Sequence, residues 1–146
     1  MSAENKKGFT LIELLLVIAL ILVVGFFSSG FYVRFIDQMA VQDAKEGLIG
    51  ALSEARSAAL AGKYNASWGV KKNSGEIVIF RGDSYANRNL DFDQVLKVNS
   101  NVTVSGFDEE VFSPGGGFPV KTLPDVVVSL GTASESFSLN SEGAIE

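Results

Sequence analysis

The pattern of apolar and polar positions changes character twice along the chain. From Leu14 to Val33, 20 consecutive residues carry no formal charge, about the length a helix needs to cross a hydrocarbon core. Beyond Arg34 the apolar positions become periodic. Phe35, Met39, Ala40, Ala44, Leu48, Ala51, Leu52, Ala55, Ala59 and Leu60 recur at spacings of three and four, with charged residues such as Asp37, Asp43, Lys45, Glu46 and Glu54 between them. That is the pattern of an amphipathic helix. One helix is predicted from about Phe9 to Leu60, with Gly62 as its C-cap and Arg56 near the negative end of its dipole. The stretch "GFFSSG", Gly25 to Gly30, sets weaker helix formers inside it, so the chain either bends or loosens at Gly25 and Gly30 or carries the helix straight through.

After Lys63 the period shortens to that of strands. "ASWGVKK", "EIVIFRG", "QVLKVN", "VTVSGF", "VVVSLG", "SFSLNS" and the terminal "AIE" are β-branched or alternating runs separated by turn residues. "KNSGE", Lys72 to Glu76, predicts a hairpin between the first two, and "NSEG", Asn140 to Gly143, predicts another before the terminal run. Gly82–Asp93 and Ser113–Asp125 read as long loops. The fold class expected is α+β, with one face of an antiparallel sheet packed on the amphipathic half of the helix.

The membrane-length run begins with a problem, the carboxylate of Glu13. Lys6 and Lys7 precede the run and no further basic residue occurs until Arg34, a bias that keeps the N-terminus in the cytoplasm and places the head outside. A cleavable signal peptide would have a shorter apolar region ending in small residues of A-x-A type. A plain single-pass anchor explains the length and the flanks but leaves Glu13 without a purpose, since a carboxylate at the centre of a membrane helix costs about 2.5 to 3.5 kcal/mol. On a continuous helix Glu13 lies four residues, about one turn, after Phe9.

The segment "KKGFTLIELLLVIALILVV" resembles the class III signal and N-terminal helix of bacterial type IV pilins and type II secretion pseudopilins. The resemblance implies that a prepilin peptidase cuts after Gly8 and methylates the new N-terminal residue, Phe9, and that the apolar run is retained. It also gives Glu13 an assembly role, pairing with the N-terminal amine of a neighbouring subunit where each charge alone would be costly. The implied organisation is a leader over residues 1–8, a membrane and filament-core half of the helix over 9–34, an amphipathic half over 35–62, and a β-rich head over 63–146. The implied location is the bacterial inner membrane, single-pass, and then a periplasmic or extracellular filament. The implied partners are the peptidase, other pilin or pseudopilin subunits, the inner-membrane assembly platform, and membrane lipid before assembly.

The head narrows the resemblance. "LIGALSEARSAALAGK", from Leu48, continued by strands and closed by "SFSLNSEGAIE", is similar to minor pseudopilins of the H type and to related minor pilins. That implies a structural subunit, minor, priming or at the tip, of a type II secretion pseudopilus or a type IV pilus. The alternatives are a DNA-uptake minor pilin and a major pilin of a divergent system.

Composition removes other classes. Without cysteine there is neither a disulfide framework nor a thiolate metal site. A formal charge of -5 and the absence of histidine argue against a general nucleic-acid binder and a zinc hydrolase. No Ser-His-Asp set can form without histidine, so no catalysis and no cofactor are expected. Asp83, Asn87, Asp91 and Asp93 could offer oxygens to calcium, but their spacing fits no EF-hand loop and solvated turn residues are the plainer reading, so no metal is expected. Lys71, Lys72, Arg81 and Arg88, with Trp68 and Tyr85, could form a basic and aromatic patch for DNA. An exposed hairpin face is the simpler account, and nucleic acid is not an expected partner. The Arg81-Gly82-Asp83 tripeptide is explained by a turn. Gly115 to Gly117 lacks the lysine and hydroxyl residue of a P-loop and reads as a flexible loop.

Overall fold

The computed structural model describes residues 8–146. The rest of the expected leader, with Lys6 and Lys7, lies outside the described residues. A single helix, α1, runs over Leu11–Leu60. It starts two residues later than predicted because Thr10 takes the capping position, its Oγ1 accepting from the Glu13 N–H at 3.3 Å. Its backbone stays helical through Gly25 and Gly30, so the local melting considered for "GFFSSG" is not observed. The helix ends as expected: Gly62 takes a left-handed conformation with φ 60 and its N–H reaches the Ala59 carbonyl at 3.0 Å, a geometry glycine adopts without strain. The chain divides into two compact units, Met1–Phe35 and Ile36–Glu146.

The second unit holds the last part of α1 and seven strands: β1 (Trp68–Asn73), β2 (Glu76–Arg81), β3 (Asn89–Lys97), β4 (Thr103–Ser105), β5 (Glu109–Phe112), β6 (Leu123–Leu130) and β7 (Ala133–Leu139). They form two sheets, one in the order β3-β2-β1-β5 and one in the order β4-β6-β7, with every pairing antiparallel. The α+β class holds, but the expected single sheet becomes two. The two sheets interleave along the chain: β4 enters the second sheet, and β5, the acidic run "EEVF" that is not among the expected strands, then returns to pair with β1, Trp68 opposite Phe112, and completes the first. The predicted hairpin at "KNSGE" is present, with Asn73 opposite Glu76. So is the terminal one, where Asn140 N–H reaches the Ala144 carbonyl at 3.0 Å and Leu139 bridges Ile145.

The core is one cluster shared by the helix and both sheets. Val41, Ala44, Leu48, Ala51, Leu52, Ala55 and Ala59 form the buried stripe of α1 and meet Val70, Ile77 and Ile79 from the first sheet and Val126, Val128, Phe137 and Leu139 from the second. The predicted stripe included Phe35, Met39 and Leu60, which are exposed, and omitted Val41, which is buried. The small alanines on this face of the helix leave room for the larger side chains that both sheets contribute to the core.

Two loop expectations change. The predicted Gly82–Asp93 loop is shorter, because a 3-10 turn at Tyr85–Asn87 leads into β3 already at Asn89. The glycine segment is held in a definite turn: Ser113 N–H reaches the Phe118 carbonyl at 3.0 Å, Gly115 N–H the Ala59 carbonyl at 2.8 Å, and Gly117 N–H the Ser113 carbonyl at 3.0 Å. Arg56, expected to face the helix dipole, instead donates from Nη2 to the Glu142 carbonyl at 2.6 Å and fastens the terminal hairpin to the helix.

Candidate functional site

The residues expected to carry function lie at the start of α1. Thr10, Leu11, Ile12 and Glu13 have the T-x-x-E spacing of a capping box. Its first half is formed by the Thr10 hydroxyl accepting from Glu13 N–H at 3.3 Å, and Leu14 N–H then reaches the Thr10 carbonyl at 3.2 Å. Thr10 is not among the expected site residues, although the spacing that marks it is legible in the sequence. Gly8 and Phe9 precede the helix, which leaves the bond between them outside the helical hydrogen-bond ladder. Glu13 sits in the first turn, where the positive end of the helix dipole favours a carboxylate by about 0.3 to 1 kcal/mol. Its position inside an apolar segment is therefore less costly than a central one. Among the described residues its carboxylate has no ion-pair partner.

The surface around this turn is apolar on every side. Phe9, Leu11, Ile12, Leu14, Leu15, Leu16, Val17, Ile18, Leu20, Ile21, Leu22, Val23, Val24 and Phe26 are all exposed. A helix apolar all round is stable in water only when something covers it. The uncharged run of the sequence, 14–33, passes through positions 27–31, whose side chains are not described. Among the described residues no helix is long and apolar enough to cross a membrane.

Residues 4–28 match the family profile described as the prokaryotic N-terminal methylation motif. The match marks a type IV pilin-like prepilin signal. A segment of this kind is a substrate of prepilin peptidase, and it implies assembly with other pilin subunits. The matched residues contain Gly8, Phe9, Glu13 and Gly25, while Gly30 lies just beyond them. No curated protein and no solved structure matches the chain.

The remaining candidates are dispersed by the fold. Lys71 pairs with Asp108 at 2.6 Å and Arg88 with Asp93 at 2.8 Å, Lys72 donates to the Asn73 carbonyl, and Trp68 is buried with its indole N–H on the Lys63 carbonyl at 3.2 Å. The basic and aromatic patch is therefore not assembled as one surface. Asp83 accepts from the Ser67 hydroxyl at 2.6 Å, and among the described residues no acidic group forms a cluster able to hold a metal ion. The Arg81-Gly82-Asp83 tripeptide is absorbed in the same turn.

One buried carboxylate was not expected. Glu110 on β5 is 1% exposed, and its Oε1 accepts from Lys121 N–H at 2.9 Å while Oε2 has no partner among the described residues. Burial pushes its carboxyl above the usual carboxylate range, against the opposing pull of the backbone N–H groups of Lys121, Val111 and Val120. It ties the segment after the glycine turn to the first sheet.

Proposed function

We propose that the protein is a minor pilin-like subunit, of the H-type pseudopilin kind, that is cut after Gly8, methylated at Phe9 and assembled through α1 into a type II secretion pseudopilus or a type IV pilus. Before assembly the uncharged run holds it in the bacterial inner membrane as a single span with the head outside the cytoplasm. There it meets the assembly platform, and afterwards it stands in a periplasmic or extracellular filament. The observation that carries the reading is the apolar surface of residues 9–26, exposed all round next to a matched methylation motif. Lipid covers such a surface first and neighbouring subunits cover it later. The helix leading through Gly62 into a β-rich unit, and the final hairpin with Gly143 before its last residues, support the minor-subunit assignment. The pairing of Lys71 and Arg88 with carboxylates leaves the DNA-uptake alternative without a continuous cationic track.

Co-expression with a prepilin peptidase tests the reading. Intact-mass analysis is expected to show loss of Met1 to Gly8 and gain of one methyl group on Phe9. A chain left uncut in cells that process a control prepilin overturns it.

A further inference from the structure

Among the described residues, Arg81 of the expected patch has no hydrogen-bond acceptor or ion-pair partner for its side chain. Its Cζ lies 4.8 Å from the Tyr64 ring centre and 4.6 Å from that of Phe92, and the two rings are themselves 4.8 Å apart. The three centres form a nearly equilateral triangle, and none of the guanidinium N–H groups meets an oxygen among the described residues. Contact with the aromatic pair restrains the guanidinium and so reduces the ordering entropy a ligand would have to supply.

Arg81 also lines a cleft of about 340 Å³ whose polar lining includes Asn65, Ser67, Asp83, Asn87 and Asn89. The side-chain amides of Asn65 and Asn87 and the Nδ2 of Asn89 have no hydrogen-bond partner among the described residues, whereas Asp83 Oδ1 is held by the Ser67 hydroxyl at 2.6 Å. One wall is built at a conformational cost. Tyr64 and Asn65 are both left-handed, with φ 61 and 48, and this is unusual for a tyrosine. Residues held in such conformations cluster at binding sites because the surrounding structure has to maintain them.

We propose that this cleft binds an acidic sugar, a hexuronate unit whose carboxylate lies in the plane of the Arg81 guanidinium and whose hydroxyls meet the amides of Asn65, Asn87 and Asn89 and the carboxylate of Asp83. A planar carboxylate matches the guanidinium edge with two parallel hydrogen bonds. The cleft offers one cation and one carboxylate, a balance that suits a single negative charge surrounded by hydroxyls. It disfavours a phosphate dianion or a polyphosphate chain, which Asp83 would repel.

The test is titration of the full chain in detergent micelles with a glucuronate-containing disaccharide, read by isothermal calorimetry, with the corresponding neutral glucose disaccharide and inorganic phosphate as separate ligands. Saturable binding of the glucuronate ligand is expected, with the neutral sugar and phosphate binding at least several-fold more weakly. Loss of a charge-assisted bidentate contact in Arg81→Gln is expected to weaken binding about ten- to a hundredfold. Asn65→Gly retains the left-handed turn and removes only an amide, so it is expected to weaken binding by a few-fold with an unchanged melting temperature. Absence of saturable binding, phosphate binding as tightly as glucuronate, or glucuronate binding unaffected by both substitutions overturns the assignment.

Discussion

Glu13 and Glu110 are both carboxylates set among apolar groups, and their surroundings give them opposite tasks. Glu13 is exposed in the first turn of α1, stabilised by the dipole of its own helix and free to meet a partner. In Glu13→Val, membrane insertion and cleavage after Gly8 are expected to persist. Incorporation into the filament is expected to fall, because a neighbour's amine would enter the core unpaired at a cost of about 3 to 5 kcal/mol. Processing and crosslinking to the major subunit in the same cells check this, and wild-type crosslinking rejects the pairing role. Glu110 is sealed in, with its carboxyl raised chiefly by burial. Because the folded state holds this proton more tightly than the unfolded chain does, the stability it brings is fully present below the ordinary carboxylate range and is lost as pH rises through the raised value. Glu110→Gln retains an acceptor for Lys121 N–H and removes the charge. Relative to wild type, the variant is therefore expected to gain melting temperature steadily as pH rises from about 4 toward neutrality. Parallel melting curves at every pH count against the buried carboxylate as a titrating group.

At the scale of elements, β1 shows how one small residue sets a sheet's packing. Gly69 lies opposite Phe80 on one neighbour and Val111 on the other, and the Phe80 ring fills the space its missing side chain leaves. A Cβ at position 69 would stand 2.4 Å from Phe80 Cζ and 2.7 Å from the Glu110 carbonyl oxygen. Phe80 could swing away, but the backbone oxygen could move only by parting β1 from β5. Gly69→Ala is expected to cost about 1 to 3 kcal/mol, read as a lower midpoint in denaturant, and an unchanged midpoint means that the two strands separate freely. The helix is anchored differently at its far end, where Arg56 holds the Glu142 carbonyl and Lys45 pairs with Glu135 on β7 at 3.0 Å. These polar contacts lie at the surface and tie β7 and the hairpin after it to α1.

At the scale of the whole molecule, the buried core cluster among the described residues draws on Val41 and residues beyond it. The fragment 36–146 is accordingly expected to fold without residues 9–35, with a cooperative thermal transition that a chelator does not shift. Its packing uses no cysteine and, among the described residues, no acidic cluster able to hold a metal. Circular dichroism with and without chelator measures this. A non-cooperative melt rejects an independent second unit, and a chelator-sensitive one restores a metal role for the turn around Asp83.

The sequence by itself determined the helix, its Gly62 end, the strand character of the chain beyond Lys63, the two tight hairpins and the motif at Gly8, Phe9 and Glu13. Each of these is written in contiguous residues: a period, a cap, a turn pair or a short signature. Which strands share a sheet was decided only by tertiary structure, because register depends on partners far apart in the chain. An acidic stretch such as "EEVF" is read as a strand only once Trp68 and Gly69 lie beside it. The fate of the charged side chains was settled the same way. Lys71 found Asp108 and Arg88 found Asp93, Glu110 was enclosed, and Arg81 was left resting on two rings with its donors open. Spacing along the chain specifies a periodic face, but whether a charge is paired, buried or free depends on what folding brings within hydrogen-bonding distance of it.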